Sequence, residues 1–404
     1  WIAMMMYAIA TGIPILLIAF FGRVVVERYP DCCSLGDFIA WRFGPTMKVF
    51  TTLITLFNMC IFLLAEFTTV GALFSSFVGD LNYPIIIVVG VLATAYTAYG
   101  GLLVSIITDQ AQTVFTLLII TIVWVYVAVE FRRPLEPGFG DQKERLGPQF
   151  YGYSAIFTLP ASLICATVFS EAVWQRVWAS EDKRALYGGA IIGFTAVTIC
   201  VFLCGFFGFI AAWGGLIDLD TADPNLYMFQ VFKREQGEGM ATVNSWIQLL
   251  VLVLAVIMNE SAVDSLLNGI TSTISSQFFR GQDISYCRVI VFLICIPLAV
   301  IATRNYAVLQ LFLISNMLCC CCAFPVFLGL FDTPAVKRLL TESVALLSCC
   351  LSVVTVTMYG VAKEGSWSFG AFMTWLGNGY AYDYFLVAVF APVAWLLVLG
   401  AAAE

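Results

Sequence analysis

The stretch Trp246-Ile247-Gln248-Leu249-Leu250-Val251-Leu252-Val253-Leu254-Ala255-Val256-Ile257-Met258-Asn259-Glu260-Ser261-Ala262-Val263-Asp264-Ser265-Leu266-Leu267-Asn268-Gly269-Ile270-Thr271-Ser272 opens as an apolar run and continues into a polar, acidic one. A helix needs about 20 apolar residues to cross a bilayer, so residues 244–277 read as a membrane-spanning helix with Glu260 and Asp264 well inside it. A carboxylate at that depth costs about 2.5–3.5 kcal/mol on insertion scales and usually faces a partner or a water-filled cavity. Positions 261, 264, 265, 268, 272 and 275 are Ser, Asp, Ser, Asn, Ser and Ser, and their spacing lines one helical face with oxygens. Hard cations take carboxylate, hydroxyl and carbonyl oxygens. The face therefore reads as an ion or solute pathway. A polar seam that glues helices is the competing reading, and two acids on one helix weigh against it.

The rest of the chain fits that setting. Of 404 residues, 61% are hydrophobic and 11% charged, far from the roughly 45–50% and 25% of soluble domains. Eleven apolar segments stand near 1–22, 47–78, 83–99, 105–130, 153–176, 185–213, 244–277, 286–302, 306–330, 339–360 and 381–402. The fold class expected is an all-α polytopic membrane protein, multi-pass and placed in the plasma membrane, with the lipid bilayer as its main partner. The net charge of −7 has no basic cluster behind it, which argues against nucleic-acid binding. The absence of histidine removes Ser-His-Asp hydrolysis and HExxH zinc chemistry. An enzyme is not expected, nor a cofactor or structural metal. Most of the 14 cysteines, Cys319 to Cys322 included, fall in apolar runs and read as packing residues. Cys32 and Cys33 form a loop pair facing a reducing compartment, so no disulfide is expected.

Loop charges orient the chain. With segment one running outside to inside, eleven Lys and Arg lie on the cytosolic side and eight outside. Six of those eight, Arg132, Arg133, Lys143, Arg145, Lys233 and Arg234, sit in two long loops that weigh less in the balance. The loop from Trp213 to Ser245, with Asp218, Asp220, Asp223, Glu235 and Glu238, reads equally as a cap on an outer vestibule or as a solvated connector. Trp1 opens inside a hydrophobic run without an initiator Met, so an N-terminally incomplete chain is expected.

Two further acids lie inside spanning segments, Glu66 in segment two and Glu171 in segment five. Segment five carries the polar node Ser170-Glu171-Ala172-Val173-Trp174-Gln175-Arg176 beyond Pro160, which predicts either a helix broken at proline, as transporters use, or a plain kink. Gly189 and Gly193 form a GxxxG expected to serve helix packing. The pair Gly100-Gly101 in Tyr96-Thr97-Ala98-Tyr99-Gly100-Gly101-Leu102 predicts a tight re-entry, and Asp109 beyond it reads as a helix N-terminal carboxylate with a structural role.

The turn from Tyr96 to Leu102 followed by Thr108-Asp109-Gln110, the Ser261 to Ser272 stretch with its Asp264-Ser265-Leu266 core, and Trp174-Gln175-Arg176 leading into Ala179-Ser180 together resemble the sodium:solute symporter family. Tyr7-Ala8 with Thr11, Pro30 and the Trp-Gln-Arg ending resemble its urea/polyamine branch. The resemblance implies a LeuT-type inverted-repeat bundle of about eleven helices in one transporter domain. Residues 1–330 would be core helices two to ten, residues 331–404 two accessory helices, and core helix one would be missing. It implies an ion-coupled symporter importing urea or a polyamine by alternating access. The same fold carrying proline, a sugar or another nutrient is the alternative, and a membrane sensor or channel is a further one. It also places a sodium site on the carbonyl of Met258 and the hydroxyl of Ser261, with Ala262 where the family carries a second hydroxyl. That departure leaves H+ as a competitor of Na+, through Glu260 or Asp264. The expected cation-binding residues are thus Met258, Ser261, Ala262, Asp264 and Ser265, and Ser170, Glu171, Trp174 and Glu66 are expected to line the solute path.

Overall fold

The computed structural model of the chain describes residues 1–79, 82–130, 146–214, 224–232, 245–331 and 333–403. Among these the regular elements are helices, and ten are long and apolar enough to cross a membrane. They are α1 (Ile2–Arg28), α3 (Pro45–Val78), α4 (Asn82–Glu130), α5 (Phe150–Val168), α7 (Lys183–Trp213), α8 (Ser245–Phe278), α9 (Ile284–Ala302), α10 (Val308–Gly329), α12 (Glu342–Glu364) and α14 (Tyr382–Ala403). Shorter helices are α2 (Leu35–Arg42), α6 (Glu171–Trp178), α11 (Pro334–Leu339) and α13 (Trp367–Phe372). The acidic residues 218, 220, 223, 235 and 238 and the basic residues 132, 133, 143, 145, 233 and 234 lie outside the described residues.

The expected third and fourth segments are the two halves of α4, joined through Gly101 at φ 56°, ψ −155°, a conformation open to glycine alone. Two sets of neighbours show that the chain reverses there. Gly101 lies near Arg288 and Thr94 near Cys295, so the first half runs antiparallel to α9. Asp109 meets Ser261, while Val123 and Val127 share a cluster with Val251 and Leu254, so the second half runs antiparallel to α8. Gly100 is needed for closeness, because a Cβ there would sit 2.3 Å from that of Val104.

Helix α2 lies between the first two apolar segments, where the sequence predicts no spanning helix. Ser34 caps it by accepting the Asp37 N–H at 3.1 Å, and Leu35, Phe38 and Ile39 are buried against the bundle. Too short to span a membrane, it closes one end of the helix bundle beneath α3 and α8.

Segment five is interrupted, but not at its proline. Helix α5 passes through Pro160 and stops at Phe169, where φ −93° and ψ 30° leave the helical region, and α6 restarts after Ser170 in an extended conformation. Carbonyls freed at such a break have no water to turn to inside a bilayer. Asn58 of α3 meets the need: its Nδ2 donates to Ala166 O at 3.0 Å and Phe169 O at 3.1 Å. Its Oδ1 accepts from Ser315 Oγ of α10 at 2.6 Å. The Trp174 indole donates to Val168 O at 2.8 Å. Asn58 is fully buried and ties three helices to the break.

Asn58→Leu keeps the branched shape and removes these bonds. With bilayer-embedded hydrogen bonds contributing on average about 0.6 and at most about 1.7 kcal/mol each, a loss of about 2–3 kcal/mol is expected. It would register as a lowered unfolding midpoint in detergent, and an unchanged midpoint would show that the carbonyls find other donors.

Candidate functional site

A cavity of about 1000 Å³ lies among α1, α3, the α5–α6 break, α7, α8 and α10. Most of its wall is apolar. Its polar groups come from separate elements: Tyr7 of α1, Glu66 of α3, Ser162 of α5, Thr167, Ser170 and Arg176 around the break, Ser265 of α8, Asn316 of α10, and Tyr380 before α14. Segments five and seven of the sequence reading face each other here and are bonded directly, Arg176 to Ser265 and Gln175 Nε2 to the Asn268 carbonyl at 3.3 Å. The close packing of α6 on α8 is permitted by Gly269, where a Cβ would lie 2.9 Å from Ala172 N.

Glu66 is the one carboxylate among the residues lining this cavity. Asn259 Nδ2 donates to its Oε2 at 2.7 Å and to its carbonyl at 3.0 Å, which fixes the side chain against α8. Among the described residues no Lys or Arg forms an ion pair with it. Phe62 and Phe312 stand edge to face beside it on the cavity wall, with centroids 5.0 Å apart. Farther along the wall, Asn316 Nδ2 donates to the Tyr380 hydroxyl at 2.9 Å, while Asn316 Oδ1 is buried without a partner.

The cation residues expected on α8 separate in the structure. Helix α8 is continuous from Ser245 to Phe278, so the Met258 carbonyl lies within the helical ladder and the Met258 side chain is exposed. Ala262 and Ser265 reach the cavity. Ser261 turns toward α4 and donates to Asp109 Oδ1 at 2.5 Å. Asp264 is fully buried; its Oδ1 accepts from Thr97 Oγ1 at 2.6 Å and Asn268 Nδ2 at 3.0 Å, and its Oδ2 has no partner. The oxygen-lined face thus packs largely against α4 and α6, with only part of it open to the cavity.

Of the residues expected on the solute path, Glu66 and Ser170 line the cavity, whereas Glu171 and Trp174 do not. On the eight-residue α6 they point to the other side, Glu171 accepting the Leu35 N–H at 3.2 Å and Trp174 packing beside Trp178 in the core. Asp109 departs from its expected role. It lies about two turns beyond Gly101, outside the first helical turn, and is held by Ser261 and by Arg176 Nη2 at 2.8 Å. That same nitrogen reaches Ser265 Oγ at 2.8 Å, and Arg176 Nη1 bonds Ala172 O at 2.6 Å. Gly189 and Gly193 also differ from expectation: both border the cavity, and nothing lies within 4 Å of a Cβ built on Gly189. The close approach of α1 to α7 is at Gly12, where a Cβ would lie 2.7 Å from Phe194 Cδ2.

Asp109, Asn259, Asn316, Tyr7 and Tyr380 were not singled out as site residues from sequence. Asp109 and Tyr7 lay in motifs that could have marked them. Asn259 and Asn316 were readable only as polar residues in apolar helices, a signal shared by many packing residues.

No known family profile matches the chain. It is 29% identical over 338 residues to a spermidine transporter of Candida albicans, an alignment covering 82% of this chain and 62% of that protein. The chain therefore spans less than two thirds of the curated relative. Among solved structures it is similar to a Na+-coupled sialic acid symporter in a substrate-bound outward-open state, with TM-score 0.71 and 16% identity, covering 100% of this chain and 84% of that one. It is also similar to a nucleobase-cation-symport-1 family transporter in a closed conformation with bromovinylhydantoin bound, with TM-score 0.54 and 13% identity, covering 100% and 86%. The fold is the all-α LeuT-type bundle of a multi-pass membrane protein.

Arg176 joins α6 to α4 and α8 through one guanidinium. A double-mutant cycle of Asp109→Asn and Arg176→Gln, read from unfolding midpoints, is expected to give a coupling energy of about 1–3 kcal/mol. Additive effects would show that the pair is electrostatically idle.

Proposed function

We propose that this chain forms the membrane-embedded body of an ion-coupled secondary active transporter, not an enzyme, that imports a small organic cation of the polyamine class by alternating access. The observation that carries the reading is Glu66, a carboxylate without a cationic partner on the wall of a roughly 1000 Å³ cavity beside an interrupted helix. A positive charge stabilises a buried acid of this kind in its ionised form, and a protonated amine supplies one. The aromatic faces of Phe62 and Phe312 add cation–π attraction. Asn316 and Tyr380 offer hydrogen bonds to further amine groups of an elongated solute. Similarity to a spermidine transporter supports the same class. Urea, the other solute of the resembled branch, carries no charge and leaves Glu66 uncompensated.

The coupling ion, Na+ or H+, is assigned to the contact of α8 with α4, at Ser261, Asp264 and Asp109, with Ala262 and Ser265 on its cavity side and Met258 outside it. Arg176 bridges Asp109 and Ser265, so rocking of α6 against α4 and α8 breaks the same bonds that hold these oxygens. Ion occupancy and helix position are coupled by that shared set of contacts. Glu171 and Trp174 serve the solute path indirectly, by fixing the side of α6 that faces the cavity.

In cells expressing the full-length protein, Glu66→Gln is expected to lower kcat/KM for labelled spermidine at least about tenfold, near 1.4 kcal/mol, with surface expression retained. Undiminished spermidine uptake, or an equal loss for urea, would overturn the assignment of Glu66 as a charge partner. Ser261→Ala is expected to weaken ion activation of uptake, and Ala262→Ser to lower the half-activating Na+ concentration about threefold or more, near 0.6 kcal/mol of added ion affinity. Measuring uptake over a Na+ series and over a pH series separates the two ions.

A further inference from the structure

On the side of α6 away from the main cavity, a second and much smaller cavity of about 10 Å³ lies where α2, α3, α6 and α8 meet. Its oxygen-bearing side chains are Thr51, Thr52, Thr55, Glu171, Thr273 and Gln277. Glu171 is 2% exposed and Thr51 1%. One carboxylate oxygen of Glu171, Oε2, accepts the Leu35 N–H at 3.2 Å. The other, Oε1, is buried without a partner, and so are Thr51 Oγ1 and Gln277 Oε1. The Gln277 amide has a defined orientation: its Nε2 donates to Ser34 Oγ and Ser276 Oγ, both at 2.9 Å, which leaves Oε1 free. Thr52 and Thr273 donate to Lys48 O and Gly269 O of their own helices and so retain acceptor lone pairs.

The unpartnered groups in this wall are two acceptor oxygens, of Glu171 and Gln277, and the Thr51 hydroxyl, whose lone pairs make it a third oxygen ligand. Among the described residues no Lys or Arg forms an ion pair with Glu171. The neighbouring Asp37 adds negative potential, and Arg280, at 3.6 Å from Asp37, is committed to it. One carboxylate oxygen of Glu171 and the amide oxygen of Gln277, both buried without donors, are costly unless something in the cavity satisfies them. The cavity holds a single guest of water size. Only one carboxylate is present, which matches one positive charge, and among the described residues no group of three acids, cysteines or histidines stands ready for a divalent metal.

We propose that Glu171, Thr51 and Gln277, helped by the hydroxyls of Thr52, Thr55 and Thr273, bind one monovalent alkali cation, Na+ or K+. Its ligands come from α3, α6 and α8, and Glu171 also holds the N-terminus of α2. Occupancy therefore ties the short helix α2 to α6, beyond the break. The site is separate from the Ser261 face, which lies toward α4, and it does not depend on the identity of the solute.

The test uses the purified full-length protein in a Ser261→Ala background, which weakens the other candidate ion site. Unfolding midpoints are measured in NaCl, KCl and N-methylglucamine chloride at equal ionic strength, with ²²Na+ and ⁸⁶Rb+ binding in parallel. The expected result is a saturable rise of the midpoint in one alkali salt, with the matching tracer bound at a single site per chain. Thr51→Val, which keeps the shape and removes one oxygen, weakens the apparent affinity about tenfold, and Glu171→Gln abolishes it. If Glu171→Gln does not fold, Thr51→Val carries the test alone. Midpoints indifferent to alkali cations, or a dependence undiminished in Thr51→Val, overturn the proposal and leave a protonated carboxyl hydrated by water. Because the readout is binding, a failure here is distinct from a failure of solute transport.

Discussion

Inside a bilayer a backbone carbonyl that loses its helical donor must find another, and the interruption at Phe169 and Ser170 frees several at once. Asn58 and Trp174 supply the donors, and much of the remaining arrangement follows from their doing so. With the break held open, α6 is free of the register of α5. Its Ser170 and Arg176 then face the cavity, while Glu171 and Trp174 face α2 and the core. The contact of Asn58 with Ser315 carries the constraint on to α10, whose consecutive cysteines, Cys319 to Cys322, pack without bridging; all described cysteines are free thiols.

The acids inside the bundle are distributed by the same need for partners. Asp109 is met by Ser261 and Arg176, Asp264 by Thr97 and Asn268, and Glu66 by Asn259. Each partner except Asn268 belongs to a different helix from its acid, so satisfying a charge also fixes how two helices are placed against each other. Glu66 differs from the others in having only an amide for company and an open cavity in front of it.

Much of the fold was legible in the chain. Residues 47–78, 185–213 and 244–277 were marked by unbroken hydrophobicity, and the helices run Pro45–Val78, Lys183–Trp213 and Ser245–Phe278. The reversal between residues 99 and 105 was marked by Gly100-Gly101 and falls at Gly101. Other features misled. Pro160 suggests where segment five would break, yet neighbours in a membrane bundle can re-satisfy the backbone group that proline frees, and the helix runs through it. The break falls where Asn58 and Trp174 can accept the loss, and neither is local to Pro160. Helix α2 was missed because eight residues with mixed polarity carry too little periodicity to stand out from a loop.

The site divides along the same line. Sequence by itself determined that the chain spans a membrane many times, that acids lie at depth in segments two, five and seven, and that one face of segment seven is rich in oxygen, because hydropathy and helical period are properties of neighbouring residues. Only the tertiary structure decided which acid meets which partner. In sequence Asp109 has the look of a local cap, and in the structure it is a bridge to Ser261 and Arg176; Glu171, expected toward the solute, lies against α2. Those outcomes depend on the rotation, tilt and register of packed helices. A rotation of one residue, about 100°, moves a side chain from a cavity to a neighbouring helix, and the packing of the whole bundle sets that rotation.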